Sequence, residues 1–453
     1  MTGVKRRRLE AVVAISAAVT LVLVALWNVA RDRVRAEPII VIPTVEEPAV
    51  HSSGPDPAVS WRRVADAVVV DERADRRDER IRAVAESMPN GVCVAVRSAD
   101  GALRVFGDRA PSVGSIQALV VLAVAVEMLG RNYRFGTEVR AALPIDGVID
   151  GDMWLIGGGD PLLVSDRVSA LVGDDSVART TSVDGLLTAL DARGVTTVTG
   201  DVIGDGRLFD SERRPAEWPD DIPLSDAGRI AGLVIDGGRI WVDPRNVAFD
   251  PVQAAARSLV DMLTERGVRI DGSARRAVGD IGPPDDAEVI ARTLSVPLAT
   301  AVAAWTTELT VPPVDVAETL LRHIGVVGGG EGSRSKGAAV VREATEEWGT
   351  EPALIRDGSG LAGANAIGCD TVMVAHEQLR HAVGAVPATI SGVQGVLDSR
   401  GVDSVGGSYR VLAAGDAVGD GVLESAHAAV VDLMENGDDV IAANDISIRW
   451  GQQ

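Results

Sequence analysis

Ser115 opens the segment Ser115-Ile116-Gln117-Ala118 just ahead of an apolar run, the place where a helix start would present a serine nucleophile. A serine hydroxyl attacks a carbonyl only after a neighbour takes its proton, and in the Ser-x-x-Lys arrangement a lysine one helical turn on supplies that help. Here the turn ends in the methyl group of Ala118. Loss of a base or proton relay costs about two to four powers of ten in rate, so Ser115 reads first as a small residue at a helix start, where serine caps the backbone. No residue nearby, Ser112 included, is marked as a substitute activator.

Other chemistry-bearing clusters are weaker. His376-Glu377 with His381 invites a zinc site, yet the second histidine is five residues on, not four, so the imidazoles leave the shared helical face that such a site uses. A solvated helix surface is the expected setting. Gly157-Gly158-Gly159-Asp160 lacks the Lys and Ser/Thr of a phosphate loop and reads as a tight turn with positive φ. Gly328-Gly329-Gly330-Glu331-Gly332 has the make-up of a flexible loop, and Asp357-Gly358-Ser359-Gly360-Leu361 is turn chemistry rather than a second nucleophile. No cofactor or metal is expected.

These residues must be positioned by a chain of 453 residues, 46% hydrophobic and 24% charged, long enough for more than one domain. Charge is uneven along it. The first 35 residues carry +5, from seven Lys/Arg against two acids, which leaves −26 for the remainder of a chain whose total is −21. An acidic body with 3% aromatic residues suits neither the basic grooves nor the stacking platforms that nucleic acid requires. Between the basic clusters, residues Ala11 to Ala30 contain no charge and match the length of a bilayer-spanning helix. Trp27-Asn28 with Arg31 and Arg33 stand where a small-residue cleavage site would be, so the segment reads as a retained anchor. The positive-inside bias puts residues 1–10 in the cytoplasm and the body on the extracytoplasmic side of the cell membrane, a single-pass arrangement.

Residues 31–75 form a Pro-rich spacer, with Pro38, Pro43, Pro48, Pro55 and Pro57 resisting packing. Arg62 to Ser87 reads as a helix leading into a strand at Gly91 to Arg97. Asp100-Gly101 turns that strand into Ala102 to Phe106. Ala118 to Val126 is too short to cross a membrane and reads as a buried core helix. Beyond it, short Val/Ile/Thr/Leu runs such as Val195 to Val202 and Ile230 to Val242 alternate with Gly-Asp and Asp-Gly turns, a mainly β texture. Helices at Val252 to Arg266 and Leu294 to Glu308 flank its end. The expected organisation is an α/β (α+β) body in two parts, 76–138 and 286–453, around a β-rich insert at 139–285. Cys93 and Cys369 are read as two buried thiols, pairing only if the fold brings them together.

Several segments share an order and spacing that carry a resemblance. Ser115 with its apolar helix, Leu129-Gly130 and Tyr133-Arg134-Phe135 are followed by Gly157-Gly158-Gly159-Asp160-Pro161, Gly204-Asp205 with Phe209-Asp210, and Arg266-Gly267-Val268. Val316-Ala317-Glu318 and Asp357-Gly358-Ser359-Gly360-Leu361 complete the series. From about Ala83 onward the chain resembles the class C penicillin-binding proteins, the D-alanyl-D-alanine carboxypeptidase/endopeptidase family. The resemblance implies a serine β-lactamase/penicillin-binding-protein transpeptidase-like body, an antiparallel sheet packed between helices, with Ser115 at the acylation position. It also exposes what is missing. The family's Ser-x-Asn matches Pro312-Pro313-Val314, and its Lys-Thr-Gly best matches Ala413-Ala414-Gly415. The reading that follows is a membrane-anchored pseudoenzyme that binds a peptidoglycan stem peptide or a cell-wall or divisome protein. The alternative is an active serine carboxypeptidase/endopeptidase that uses Ser115.

Overall fold

The computed structural model describes residues 79, 82–83, 92–97, 103–107, 110, 112, 114–172, 180–220, 222–223, 227–240, 243–308, 313–383 and 439–444. The chain divides into two units, Met1–Val68 and Val69–Gln453, and every described residue lies in the second. The expected anchor at 11–30, its basic tail and the spacer fall outside the described residues. Among the described residues no helix is long and apolar enough to cross a membrane.

β1 (Val92–Arg97) and β2 (Leu103–Gly107) form the antiparallel hairpin that Asp100-Gly101 predicts, with Ala95 opposite Val105. α1 (Gln117–Leu129) is apolar on every face, and all its residues from Gln117 to Val126 are buried. A helix of this kind needs partners on all sides, and the body is built to supply them.

The chain then enters the insert: β3 (Gly136–Ala141), β4 (Val148–Ile149), β5 (Met153–Gly157), β6 (Leu163–Val164), α2 (Asp166–Val172), β7 (Thr181–Ser182), α3 (Asp184–Ala192), β8 (Thr197–Val198) and β9 (Val202–Asp205). β10 (Arg239–Ile240), β11 (Asp243–Val247), α4 (Pro251–Glu265), β12 (Arg269–Ile270), β13 (Ala274–Arg276) and β14 (Glu288–Leu294) follow. A five-stranded sheet has the order β13-β9-β5-β3-β14, and a three-stranded one the order β12-β8-β4. β5, β9 and β13 are parallel, whereas β3 and β14 run antiparallel to their neighbours. Parallel neighbours require crossovers, and α3 and α4 lie in those connections. The insert is therefore a mixed α/β layer, where the strand pattern alone suggests a mainly β one. Its large sheet runs from Gly136 to Leu294, on either side of the 139–285 span.

Three glycine-containing steps join a strand of the three-stranded sheet to one of the five-stranded sheet instead of closing a hairpin. Gly151-Asp152 lies between β4 and β5, Gly200-Asp201 between β8 and β9, and Gly272-Ser273 between β12 and β13. A side-chain ladder crosses the three bends: the Asp201 N–H donates to Asp152 Oδ1 and the Ser273 N–H to Asp201 Oδ1, each at 2.8 Å. The insert buries its own core, in which Val139, Leu155 and Val202 of the sheet meet Leu190 of α3 and Leu259 and Leu263 of α4.

The body resumes with α5 (Leu298–Glu308), α6 (Val314–Gly329), α7 (Arg334–Glu347), α8 (Cys369–Val383) and β15 (Asp439–Asn444), which pairs antiparallel with β1. Leu119, Val120 and Leu122 of α1 pack with Trp305 of α5, Leu320 and Ile324 of α6, Val341 of α7 and Val372 of α8. The two cysteines are not thiols. Cys93 of β1 and Cys369 of α8 form a disulfide, their Cα atoms 5.9 Å apart, because α8 packs directly on β1. Sequence reading missed the bond because the partners are 276 residues apart, and no local pattern encodes such a pairing.

In a chain-entropy account, a crosslink closing a loop of 276 residues stabilises by about 5–6 kcal/mol. The Cys93→Ala/Cys369→Ala double variant is expected to lose stability of that order in urea denaturation, with the native fold retained in far-ultraviolet dichroism.

Candidate active site

Ser115 sits in the 3₁₀ turn Gly114–Ile116 that leads into α1, half-buried. It does not cap the helix: the N-cap residue is Ile116, and no side chain bonds to the first turn. Among the described residues no side chain hydrogen-bonds to the Ser115 hydroxyl. Ala118, one turn on, is 1% exposed, so a buried methyl occupies the place from which an amine would reach the serine.

The chain has two lysines, Lys5 and Lys336. Ser333 to Lys336 has the Ser-x-x-Lys spacing but a different job: the buried Ser333 hydroxyl caps α7 by accepting from the Lys336 N–H, and the Lys336 side chain is exposed. Its stem runs along Gly329, and neighbouring Gly328 faces Met128 at the far end of α1. At 1.5 Å per residue, that end lies about 20 Å from Ser115, beyond the reach of a lysine.

Val314 stands at the start of α6, where the resemblance places an asparagine. It is half-buried against an apolar cluster of Trp218, Ala227 and Ala362, together with Ile222 and Leu361. Leu361 follows Gly360, whose φ of +84° and close approach to the Gly114 carbonyl leave no room for a Cβ. The cluster thus abuts the turn that carries Ser115. Pro312 and the Ala413-Ala414-Gly415 segment lie outside the described residues.

What the site does contain is a buried acidic anchor. Asp357 is fully buried, and its carboxylate receives seven hydrogen bonds. Oδ1 accepts from Gly360 N (3.1 Å), Asn365 Nδ2 (2.8 Å) and Gln117 Nε2 (3.2 Å). Oδ2 accepts from Trp218 Nε1 (2.7 Å), the Ser359 hydroxyl (3.1 Å), and the N–H groups of Leu361 and Ala362 (2.9 Å each). The Asp357-Gly358-Ser359-Gly360 turn is scaffold, as its composition suggests, with Ser359 serving as a donor. Glu318 of α6 holds the same turn from the other side, Oε1 accepting from Gly358 N (2.7 Å) and Ser359 N (2.9 Å).

Behind Glu318 runs a buried ion network. Fully buried Arg322 lies 3.5 Å from Glu318 and 3.5 Å from Glu212, and Arg334 grips Glu212 through two hydrogen bonds of 2.9 and 2.8 Å. Burial, reinforced by the nearby Asp357 charge, pushes the Glu318 carboxyl up to about 7. His323, ringed by Tyr133, Phe135 and Phe209 with its Nε2 2.9 Å from the Gly159 carbonyl, is driven down to about 4 by burial. It is a neutral packing residue at neutral pH. Gly159, at φ +66°, lies so close to His323 and Phe209 that a Cβ would strike both.

Sequence reasoning missed this network. The one local signal was Glu318 and Arg322, an i, i+4 charge pair on a helix otherwise lined by Val316, Ala317, Leu320, Leu321 and Ile324. His376 is a correction of another kind, because it is buried on α8 rather than solvated, while His381 is exposed. Among the described residues no group of three His, Cys, Asp or Glu side chains is placed to hold a metal.

Comparison with known proteins sets this geometry in context. A family model described as the D-Ala-D-Ala carboxypeptidase 3 (S13) family matches residues 91–248 and 242–404. D-alanyl-D-alanine carboxypeptidase from Actinomadura sp. (strain R39) is 28% identical over 325 residues, 56% of this chain and 57% of that protein. The chain therefore spans little more than half the length of that relative. Penicillin-binding protein 4 from Haemophilus influenzae aligns with a TM-score of 0.52 at 17% identity, over 66% of this chain and 79% of that one. That likeness is one of fold, and the body is transpeptidase-like.

The raised Glu318 carboxyl makes a pH prediction. Between 4.5, its ordinary value, and about 7 the folded state holds a proton that the unfolded state has released, so this group makes stability fall as pH rises through that window. His323 acts oppositely between about 4 and 6.5, so the wild-type curve mixes the two. The difference between wild type and Glu318→Gln isolates the carboxyl: in urea denaturation, wild type should lose ground to the variant from pH 5 to pH 8.

Proposed function

The chain belongs to the D-Ala-D-Ala carboxypeptidase 3 (S13) family, and we propose that within it this member is a pseudoenzyme, a membrane-anchored extracytoplasmic protein that binds cell-wall stem peptides without hydrolysing them. The observation that carries the reading is the missing amine. Beyond the N-terminal patch the chain has one lysine, Lys336, and it lies at the far end of α1 from Ser115. Serine acylation needs the hydroxyl proton removed and the developing oxyanion held. Ala118 and Val314 supply neither a base nor an amide donor. When several members of one catalytic constellation are gone together, what remains is residual binding.

The scaffold around Ser115 is intact by contrast. The 3₁₀ turn, the Asp357 loop and the Trp218 cluster pack together around Ser115, which supports a retained binding role. The disulfide supports an extracytoplasmic body, because such bonds persist in oxidising compartments. The anchor rests on the uncharged span Ala11 to Ala30.

Incubation with a fluorescent penicillin tests the proposal. No covalent band is expected on denaturing gels, alongside saturable binding of a muramyl pentapeptide by calorimetry and no release of D-alanine. A labelled band that vanishes in Ser115→Ala would establish a working nucleophile and overturn the reading.

A further inference from the structure

Arg229 carries a charge that the fold leaves unused. The residue is partly buried, and among the described residues its guanidinium makes no hydrogen bond and no ion pair. Neighbouring arginines are handled differently: Arg213 and Arg214 donate to backbone carbonyls, and Arg322 and Arg334 pair with Glu212. In a chain of net charge −21, a half-buried cation with no acceptor is a cost without a structural return. What holds the side chain is a ring, since its Cζ lies 5.1 Å over Phe249, itself 85% exposed. Stacking of this kind fixes the plane of a guanidinium and leaves its edge free. Nε is buried, so Nη1 and Nη2 are the donors on offer.

The position of the pair points to its ligand. Gly228, next to Arg229, packs on Asp315 in the first turn of α6, and Ala227 belongs to the cluster of Trp218, Val314 and Leu361 that abuts the Ser115 turn. Arg229 thus stands two residues beyond that cluster. Asp160 and Asp315 line a cavity of about 20 Å³ beside it, room for one water, and neither carboxylate ion-pairs with it. Two acids so near favour a ligand of single negative charge over a phosphate, which they would repel more strongly. The planar fork of arginine matches a carboxylate, and the exposed Phe249 ring suits a small apolar side chain next to it.

We propose that Arg229, braced by Phe249, is the receptor for the C-terminal carboxylate of a peptide bound beside Ser115. The inference takes its ligand from the peptide-binding reading above, and the probes below separate the two.

Calorimetric titration of the full chain uses a muramyl pentapeptide, the same peptide amidated at its C-terminus, and N-acetyl-D-alanine. The amide should bind wild type about tenfold or more weakly than the acid, and Arg229→Ala should weaken the acid by a similar factor while leaving the amide unchanged. Arg229→Lys, which keeps the charge but not the fork, should fall between. Phe249→Ala should also weaken the acid, whereas Arg269→Ala, on β12, should bind as wild type does. N-acetyl-D-alanine should bind wild type and not Arg229→Ala. If the pentapeptide fails to bind while N-acetyl-D-alanine binds through Arg229, the peptide reading falls and the receptor stands. The receptor is overturned if acid and amide bind wild type equally, if Arg229→Ala keeps the preference for the acid, if neither acid ligand binds at millimolar concentration, or if inorganic phosphate binds more tightly than N-acetyl-D-alanine. The acid and amide comparison needs only wild type, so a variant that fails to fold does not remove the test.

Discussion

The Asp357 carboxylate is the constraint from which the region around Ser115 takes its shape. A buried charge is tolerated only when its hydrogen-bonding capacity is filled, and here the seven donors come from four places: its own turn, Asn365 just beyond it, Gln117 at the head of α1, and Trp218 of the insert. Moving any of these segments would strand a donor or the charge itself. Glu318 and Arg322 extend the same logic one layer back, fastening the turn to α6 and, through Glu212 and Arg334, to the insert and α7.

That arrangement also sets what each buried position costs to change. Removing one partner of a buried ionic network costs about 3–5 kcal/mol, because a charge is left uncompensated. At a site as buried as Ala118, burial works against an amine. A lysine there bears a desolvation cost that alanine avoids, and alanine is the best helix former. Folding alone therefore favours Asp357, Glu318 and Arg322 where they stand, and an alanine rather than a lysine at position 118. The same holds at Val314, where an isopropyl group completes an apolar cluster that a polar amide would interrupt.

Much of this was legible in the chain. The all-round apolar α1, the β1–β2 hairpin and the flanking helices of the insert follow from periodicity and turn residues, and the ordered motifs led to the right family. The insert's parallel pairing was harder to read. A Gly-Asp step has the same composition whether it closes a hairpin or passes the chain from one sheet to the next, and only the neighbouring segment, offering an N–H to Asp152 or Asp201, distinguishes the two cases. His376 was misplaced for a related reason, since a histidine's burial depends on what packs over its helix.

By itself the sequence determined which groups exist: one lysine beyond the N-terminus, an alanine at 118 and a valine at 314, and an apolar segment that must be a core helix. Tertiary structure alone decided who meets whom. Gln117 and Trp218 reach Asp357 across 240 and 139 residues, and Cys93 reaches Cys369 across 276. Composition and local spacing report the preferences of neighbours along the chain, whereas contacts at these separations arise only when packing of the cores brings distant segments together.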